Sequence, residues 1–156
     1  MKVETSKTVI RPLSIDELDS CIEGGKAFYE QSCLPGKFVP ELFIENWKRL
    51  FDLNIAVIIG AFVDPNISPS GAIGGIIYPD VNDGVLVATE MFWFVNPLER
   101  NKYLGVRLFR EFEQWALSKG AKRIIMVALA TNGTNVSRFY ELHGFRMLET
   151  QFIKEI

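Results

Sequence analysis

The feature that most constrains this chain is a change of hydrophobic period after Asn54. Residues 55–63 form a continuous apolar run, too short and too β-branched for a comfortable helix. Asp64-Pro65-Asn66 and Pro69-Ser70-Gly71 make a loop, and residues 72–78 form a second run. Turn chemistry follows from Pro79-Asp80 to Asp83-Gly84, and residues 85–95 make a third, longer run. Three strands in succession, joined by turn-rich loops, imply an antiparallel meander.

The flanking segments read differently. Thr8-Val9-Ile10-Arg11 is a short strand stopped by Pro12, and Ser14-Ile15-Asp16-Glu17 has the form of a capping box opening a helix. Leu18, Ile22, Ala27 and Phe28 give that helix an apolar stripe, which Gly24-Gly25 interrupts, so a kink or two short helices are expected. Pro40 opens a second helix with Phe43, Ile44, Trp47, Leu50 and Phe51 on one side. After the meander the pattern alternates: a helix over about 102–119, a strand over 123–130, a helix over about 135–143 and a last strand within 147–154. The expected fold class is α/β (α+β), with a mixed, mostly antiparallel sheet flanked by helices on both faces. A parallel β-α-β unit in it should cross over right-handed. No linker or repeat divides residues 1–156, which read as one domain.

Composition removes several function classes. With 156 residues, 48% hydrophobic and 23% charged, the chain is an ordinary globular domain. A net charge of −2 lacks the basic excess expected of a nucleic-acid partner. No segment reaches the roughly 18 apolar residues of a membrane helix, and the start MKVETSKTVIRPLS has no signal-peptide core. A cytoplasmic location is expected, with Cys21 and Cys33 as reduced, packed thiols. One histidine and no clustered thiols leave a structural zinc site almost nothing to be built from.

Residues 88–109 carry the most chemistry. A helix start presents unpaired amides and the positive end of a dipole, which suits phosphate oxygens. Arg100, Lys102 and Arg107 add cations there, and Gly105 permits close backbone approach. The plainer alternative is a β–α connection whose charges face solvent.

Val95-Asn96-Pro97 followed by Arg100-Asn101-Lys102-Tyr103-Leu104-Gly105 resembles the coenzyme loop of the GNAT superfamily of acetyl-coenzyme A-dependent N-acetyltransferases. That loop has the pattern Arg/Gln-x-x-Gly-x-Gly/Ala after an apolar-x-Pro step. Tyr103 stands where the first Gly is usual, so a side chain projects at the point of closest approach to phosphate. Downstream, Asn135-Val136-Ser137-Arg138-Phe139-Tyr140-Glu141-Leu142-His143-Gly144-Phe145 resembles the family's short helix ending in Tyr-x-x-x-Gly-Phe. The likeness covers roughly residues 85–147. It implies acetyl-coenzyme A as acyl donor, without a metal. It also implies coenzyme contacts at Phe94, Val95, Arg100, Asn101, Lys102, Tyr103, Leu104, Gly105, Val106, Asn132, Asn135 and Arg138.

Acetyl transfer to an amine sets three requirements. The nucleophile must lose a proton, whose pKa is about 10.4 for an alkylammonium such as Lys. The thioester oxygen needs a fixed donor, and the leaving sulfur, pKa about 8.5 by analogy with Cys, benefits from an acid. Tyr140 occupies the family's Tyr and is the expected acid; the alternative is a packed ring whose hydroxyl is bonded locally. Ser137, one turn earlier, would stand in or assist through water. Glu90 is the expected base, on the long strand with Phe92 and Phe94 on the same face, where desolvation would raise its pKa. A bulge or edge position with Glu90 reaching solvent or an Arg is the alternative, and a water chain would replace it as base. The oxyanion donor would be a backbone amide within residues 94–96.

Weaker signals complete the reading. Gly71-Ala72-Ile73-Gly74-Gly75 precedes a strand instead of following one, so it reads as a strand start or bulge and not as a nucleotide loop. His143 fits a helix C-terminus. Trp47, Phe43 and Phe51 read as core, while Cys33, Phe38 and Tyr29 would wall an acceptor site. The acceptor, a small-molecule or protein amine, is not legible. A non-catalytic coenzyme A-binding module, favoured by Tyr103, and a partner-docking protein with an aromatic surface are the competing accounts. Homodimers are common in the family.

Overall fold

The computed structural model describes residues 7–63, 68–100, 103–129 and 136–156. Five strands form one sheet in sequence order: β1 (Val9–Pro12), β2 (Ala56–Phe62), β3 (Gly71–Pro79), β4 (Leu86–Val95) and β5 (Arg123–Ile125). The first four pair antiparallel, which is the expected meander, and β5 joins β4 in parallel. A parallel neighbour needs a crossover, and helix α3 (Leu104–Ser118) supplies it.

Each face of the sheet has its own core. On one face Val57, Ile59, Ile73, Ile77 and Ala88 pack against Leu104, Leu108, Phe112 and Ala116 of α3. On the other, Ile58, Phe62 and Ala72 pack against Leu18, Cys21 and Trp47. Strand β2 is covered on both sides, which is why its sequence is a continuous apolar run and not an alternating one.

A 3-10 turn (Ile15–Cys21) leads directly into α1 (Ile22–Ser32), and α2 (Pro40–Asp52) starts at its proline as expected. The Ser14 amide donates to the Glu17 carboxylate at 2.9 Å, and Arg11 clamps the same carboxylate at 2.6 and 2.9 Å. Two short helices are indeed present, but the break falls at Cys21 and not at the glycines. Gly24 and Gly25 lie inside α1 because aromatic rings press on it: a Cβ at Gly24 would collide with Phe94, and one at Gly25 would crowd Phe38.

Strand β4 contains a bulge. Gly75 opposes Glu90 and Gly74 opposes Phe92, so Met91 has no partner in the ladder. The extra residue inverts the side-chain alternation beyond it. Glu90 therefore does not share a face with Phe92 and Phe94, contrary to the period-two reading. Its partner Gly75 lies under Phe112 of α3, whereas Phe92 and Phe94 pack in the Trp47 core.

Two strands differ from expectation. The ladder of β5 ends at Ile125, well short of residue 130. Residues 147–154 form no strand: the segment is exposed, Phe152 at 94%, and no described strand edge pairs with it. A strand is defined by its neighbour, so apolar pattern alone does not make one. Helix α4 (Val136–Leu142) precedes this segment. Among the described residues no helix is long and apolar enough to cross a membrane.

Candidate active site

Strands β4 and β5 pair only from Val87–Arg123 to Thr89–Ile125. Beyond Thr89 no described strand lies along this edge of β4. Asn96 donates to the Ser70 carbonyl at 2.8 Å, so by antiparallel alternation the amides of Trp93 and Val95 point the other way, onto the free edge. The Val95 carbonyl is on the same edge, where it accepts from Arg100 Nε at 3.2 Å.

Glu90 and Tyr140 meet at the head of this gap. Glu90 is 6% exposed and accepts from the Val127 amide at 2.9 Å; Tyr140, 8% exposed, donates its hydroxyl to the Val127 carbonyl at 2.8 Å. One peptide residue thus links the carboxyl to the phenol. Burial pushes the Glu90 pKa up to about 7, opposed by the Val127 hydrogen bond. Burial also pushes the Tyr140 phenol above its ordinary value, and the neighbouring Glu90 charge adds to the rise.

Helix α4 delivers Tyr140 through the glycine that follows it. Gly144 has φ of +86°, the left-handed turn that ends a helix, and it brings the Phe145 amide back onto the Tyr140 carbonyl at 3.0 Å. Ser137 and Arg138, on the same helix, are exposed, and Ser137 does not join the buried pair. His143 bonds the Phe139 carbonyl at 2.7 Å, as a helix-end residue should.

The start of α3 is bare. Its first internal bond runs from the Arg107 amide to the Tyr103 carbonyl, so the amides of Leu104, Gly105 and Val106 precede the helical ladder. Among the described residues no side chain caps them, and no acidic residue lies in the first turn. Tyr103 itself is at φ +56° with its ring 79% exposed. This left-handed geometry explains why glycine is usual there, since any other residue pays about 1–2 kcal/mol for it. A Cβ at Gly105 would sit 3.4 Å from the Trp93 ring and 3.5 Å from a Val95 methyl, ordinary contact, so this helix start lies close against β4. The buried Trp93 indole N–H has no acceptor among the described residues.

Of the cations read at this loop, Arg100 spans from Val95 to Gln31 of α1 at 3.4 Å, and Arg107 turns to the Thr8 carbonyl at 3.4 Å. Asn101, Lys102, Asn132 and Asn135 lie outside the described residues.

On the opposite face of β4, a cleft of about 330 Å³ opens between α1, α2 and the strand. Phe28, Phe38, Phe43, Trp47, Phe92 and Phe94 line it, with Lys37 at its side. Tyr29 and Phe38, expected to wall an acceptor site, do line it; Cys33 lines the adjoining hollow.

Sequence reasoning missed Val127 and the bulge at Met91. Val127 acts through its backbone, which carries no residue-type signal. The bulge did leave one, in its partner: Gly74-Gly75 is the place in β3 where a neighbouring strand can slip.

Over residues 27–145 the chain matches the acetyltransferase (GNAT) family. It belongs to that family. The fold agrees: the aminoglycoside N-acetyltransferase AAC(6')-Iy in complex with CoA superposes with a TM-score of 0.79 at 17% identity, covering 100% of this chain and 99% of that one. An acetyltransferase of Trypanosoma brucei gives 0.72 at 22% identity, with 96% and 100% covered. Glucosamine-6-phosphate N-acetyltransferase of Arabidopsis thaliana gives 0.69 at 18%, with 96% and 98% covered. At these identities the likeness speaks for the fold. No curated protein matches the chain in sequence. The mixed sheet, flanking helices and parallel crossover are thus the GNAT fold, and acetyl-coenzyme A is the family's acyl donor. Among the described residues no group of three or more His, Cys, Asp or Glu side chains could hold a metal.

Proposed function

We propose that this GNAT protein transfers an acetyl group from acetyl-coenzyme A to a primary amine by direct attack at the free edge of β4. The observation that carries the reading is the Glu90–Val127–Tyr140 chain at the head of that edge. The residues present fit the coenzyme. Three amides with no partner among the described residues, at a helix start that Tyr103 does not cap, suit a pyrophosphate. The Val95 amide and carbonyl suit an extended amide arm, and the orphaned Trp93 N–H suits an acceptor atom. Arg100, Tyr103, Leu104, Gly105, Val106, Phe94 and Arg138 are assigned as coenzyme contacts by the family likeness, as are Asn101, Lys102, Asn132 and Asn135, which lie outside the described residues.

When bound, acetyl-coenzyme A supplies an acetyl group activated as a thioester. Glu90, with its pKa near 7, is half ionised at neutral pH and matched to taking a proton from an ammonium. The Val95 amide faces the side on which the thioester oxygen would gain charge. Tyr140 holds its proton for the leaving sulfur. Desolvation makes it a reluctant acid, but part of its raised pKa comes from the Glu90 charge. Protonating Glu90 removes that part, so taking the amine's proton makes Tyr140 a readier donor when the sulfur leaves. Ser137 assists through water at most, since it is exposed.

One observation favours the non-catalytic coenzyme-binding reading: the Tyr140 hydroxyl is already held by Val127. Release of free thiol from acetyl-coenzyme A with a panel of amines separates the two. Turnover that rises with pH through about 7, and loses that limb in Glu90→Gln, supports the proposal; thermal stabilisation by the coenzyme without any turnover supports the module. The protein as a homodimer in a cytoplasmic setting is part of the same reading. The exposed apolar segment 146–156 is its support, and the molar mass in solution its check.

A further inference from the structure

The acceptor cleft differs in character from the gap beside it. Its lining contains six phenyl or indole rings and the Tyr29 phenol. Among the described residues that line it, Lys37 is the one charged side chain and none is a carboxylate. The adjoining hollow, which shares Tyr29, Leu34, Lys37 and Phe38, adds Lys26 and a single acid, Glu30. A molecule entering past this rim meets net positive charge first and aromatic surface next.

The cleft also reaches the chemistry. Met91, Phe92 and Phe94 line it, and the residues interleaved with them, Trp93 and Val95, present their amides on the free edge of β4. Gly24 and Gly74 keep it open to rings: a Cβ at Gly24 would collide with Phe94, and one at Gly74 with Phe92 and Trp47. Rings are stacked along its floor, Phe92 against Phe94 at 6.2 Å and Phe92 edge-on to Trp47 at 5.5 Å.

Resting on the transferase reading above, we infer that the acceptor is a primary amine carried on an aromatic group, with no second cationic centre. A planar ring gains offset and edge-to-face partners here as well as burial. A polyamine or aminosugar would bring further ammonium groups past Lys37 with no acid in the cleft to receive them, and its hydroxyls would lose water against phenyl surface. Aromatic walls do attract cations, but Lys37 stands where a second one would sit.

The experiment is kcat/KM from thiol release, using the full chain, acetyl-coenzyme A and phenethylamine, tryptamine, benzylamine, m-xylylenediamine, spermidine and kanamycin. Arylalkylamines should exceed spermidine and kanamycin by about 30-fold or more, the worth of burying one ring. Benzylamine should exceed m-xylylenediamine, and Lys37→Glu, a change at an exposed residue that leaves the fold intact, should reverse that order. Equal or better turnover of the polycations, or no change of order in Lys37→Glu, overturns the acceptor assignment while leaving acetyl transfer standing. No thiol release with any amine, with coenzyme still stabilising the fold, overturns the transferase reading and this inference with it.

Discussion

The two faces of β4 beyond Thr89 do different work with different materials. In the proposed reaction the α3 side contributes main-chain amides, one helix start and two buried polar side chains, Glu90 and Tyr140. The α1–α2 side contributes aromatic rings around a cleft. Backbone groups are placed by the fold itself, so the coenzyme side follows once the strand–loop–helix forms. Rings are placed one residue at a time, so the cleft is individual to this chain. The family tells the donor and not the acceptor, as expected if the coenzyme is held by backbone that comes with the fold and the acceptor by side chains that do not.

The largest effect should break the α3 side alone. Glu90→Gln should lower kcat about 10²–10³-fold and Tyr140→Phe about 10²-fold, with the KM for acetyl-coenzyme A nearly unchanged in steady-state thiol release. A loss confined to KM would mean that both groups position and do not react. Next comes stability. The Glu90 carboxyl has a folded pKa near 7 against an ordinary 4.5, so its protonated form is favoured by the fold. That stabilisation is complete below about pH 4.5 and is lost as pH rises through 7, amounting to about 3 kcal/mol. Urea melts of Glu90→Gln should therefore gain on the wild type by about that amount between pH 4.5 and pH 8, and parallel curves would refute the buried carboxyl.

A smaller effect compares glycines on the two sides. Gly75→Ala would drive a methyl into fully buried Phe112 and the Thr89 carbonyl, and should cost about 2 kcal/mol. Gly24→Ala meets only the half-buried Phe94 ring, which can turn, so it should cost under about 1 kcal/mol while altering the cleft. Equal costs in thermal unfolding would erase the distinction. The smallest effect is at the helix start. Tyr103→Gly relieves a left-handed tyrosine worth about 1–2 kcal/mol and adds unfolded-chain entropy of about 1 kcal/mol, so a net gain of about 0.5 kcal/mol is expected. A loss of stability would show that the exposed Tyr103 ring has a contact of its own.

Much of this was legible in the residues. The meander, the proline-opened α2, the bare helix start before Gly105 and the Tyr140–Gly144–Phe145 turn all follow from local chemistry that needs no tertiary partner. What failed did so where a neighbour decides. Period-two counting placed Glu90 with Phe92 because nothing in β4 alone announces that Met91 is skipped; the bulge belongs to the pair with β3. Gly24-Gly25 looked like a break because the rings that require it, Phe94 and Phe38, are distant in sequence. Residues 147–154 have strand-forming side chains but no described edge to join. The Val127 peptide, which joins Tyr140 to Glu90, is silent in any reading of side chains.

The skipped Met91 has a consequence for heredity. Removing that single codon would only close the ladder: Gly75 and Gly74 keep Glu90 and Phe92 as partners, so Trp93 and Val95 stay on the α3 side and Phe92 and Phe94 stay in the cleft. Substitutions change one wall of one chamber at a time, and a one-residue loss at the bulge leaves both chambers with the walls they have. Variation in acceptor among chains of this design should accordingly accumulate by replacing residues on α1, α2 and the rim, with the length of β4 at Met91 free to vary.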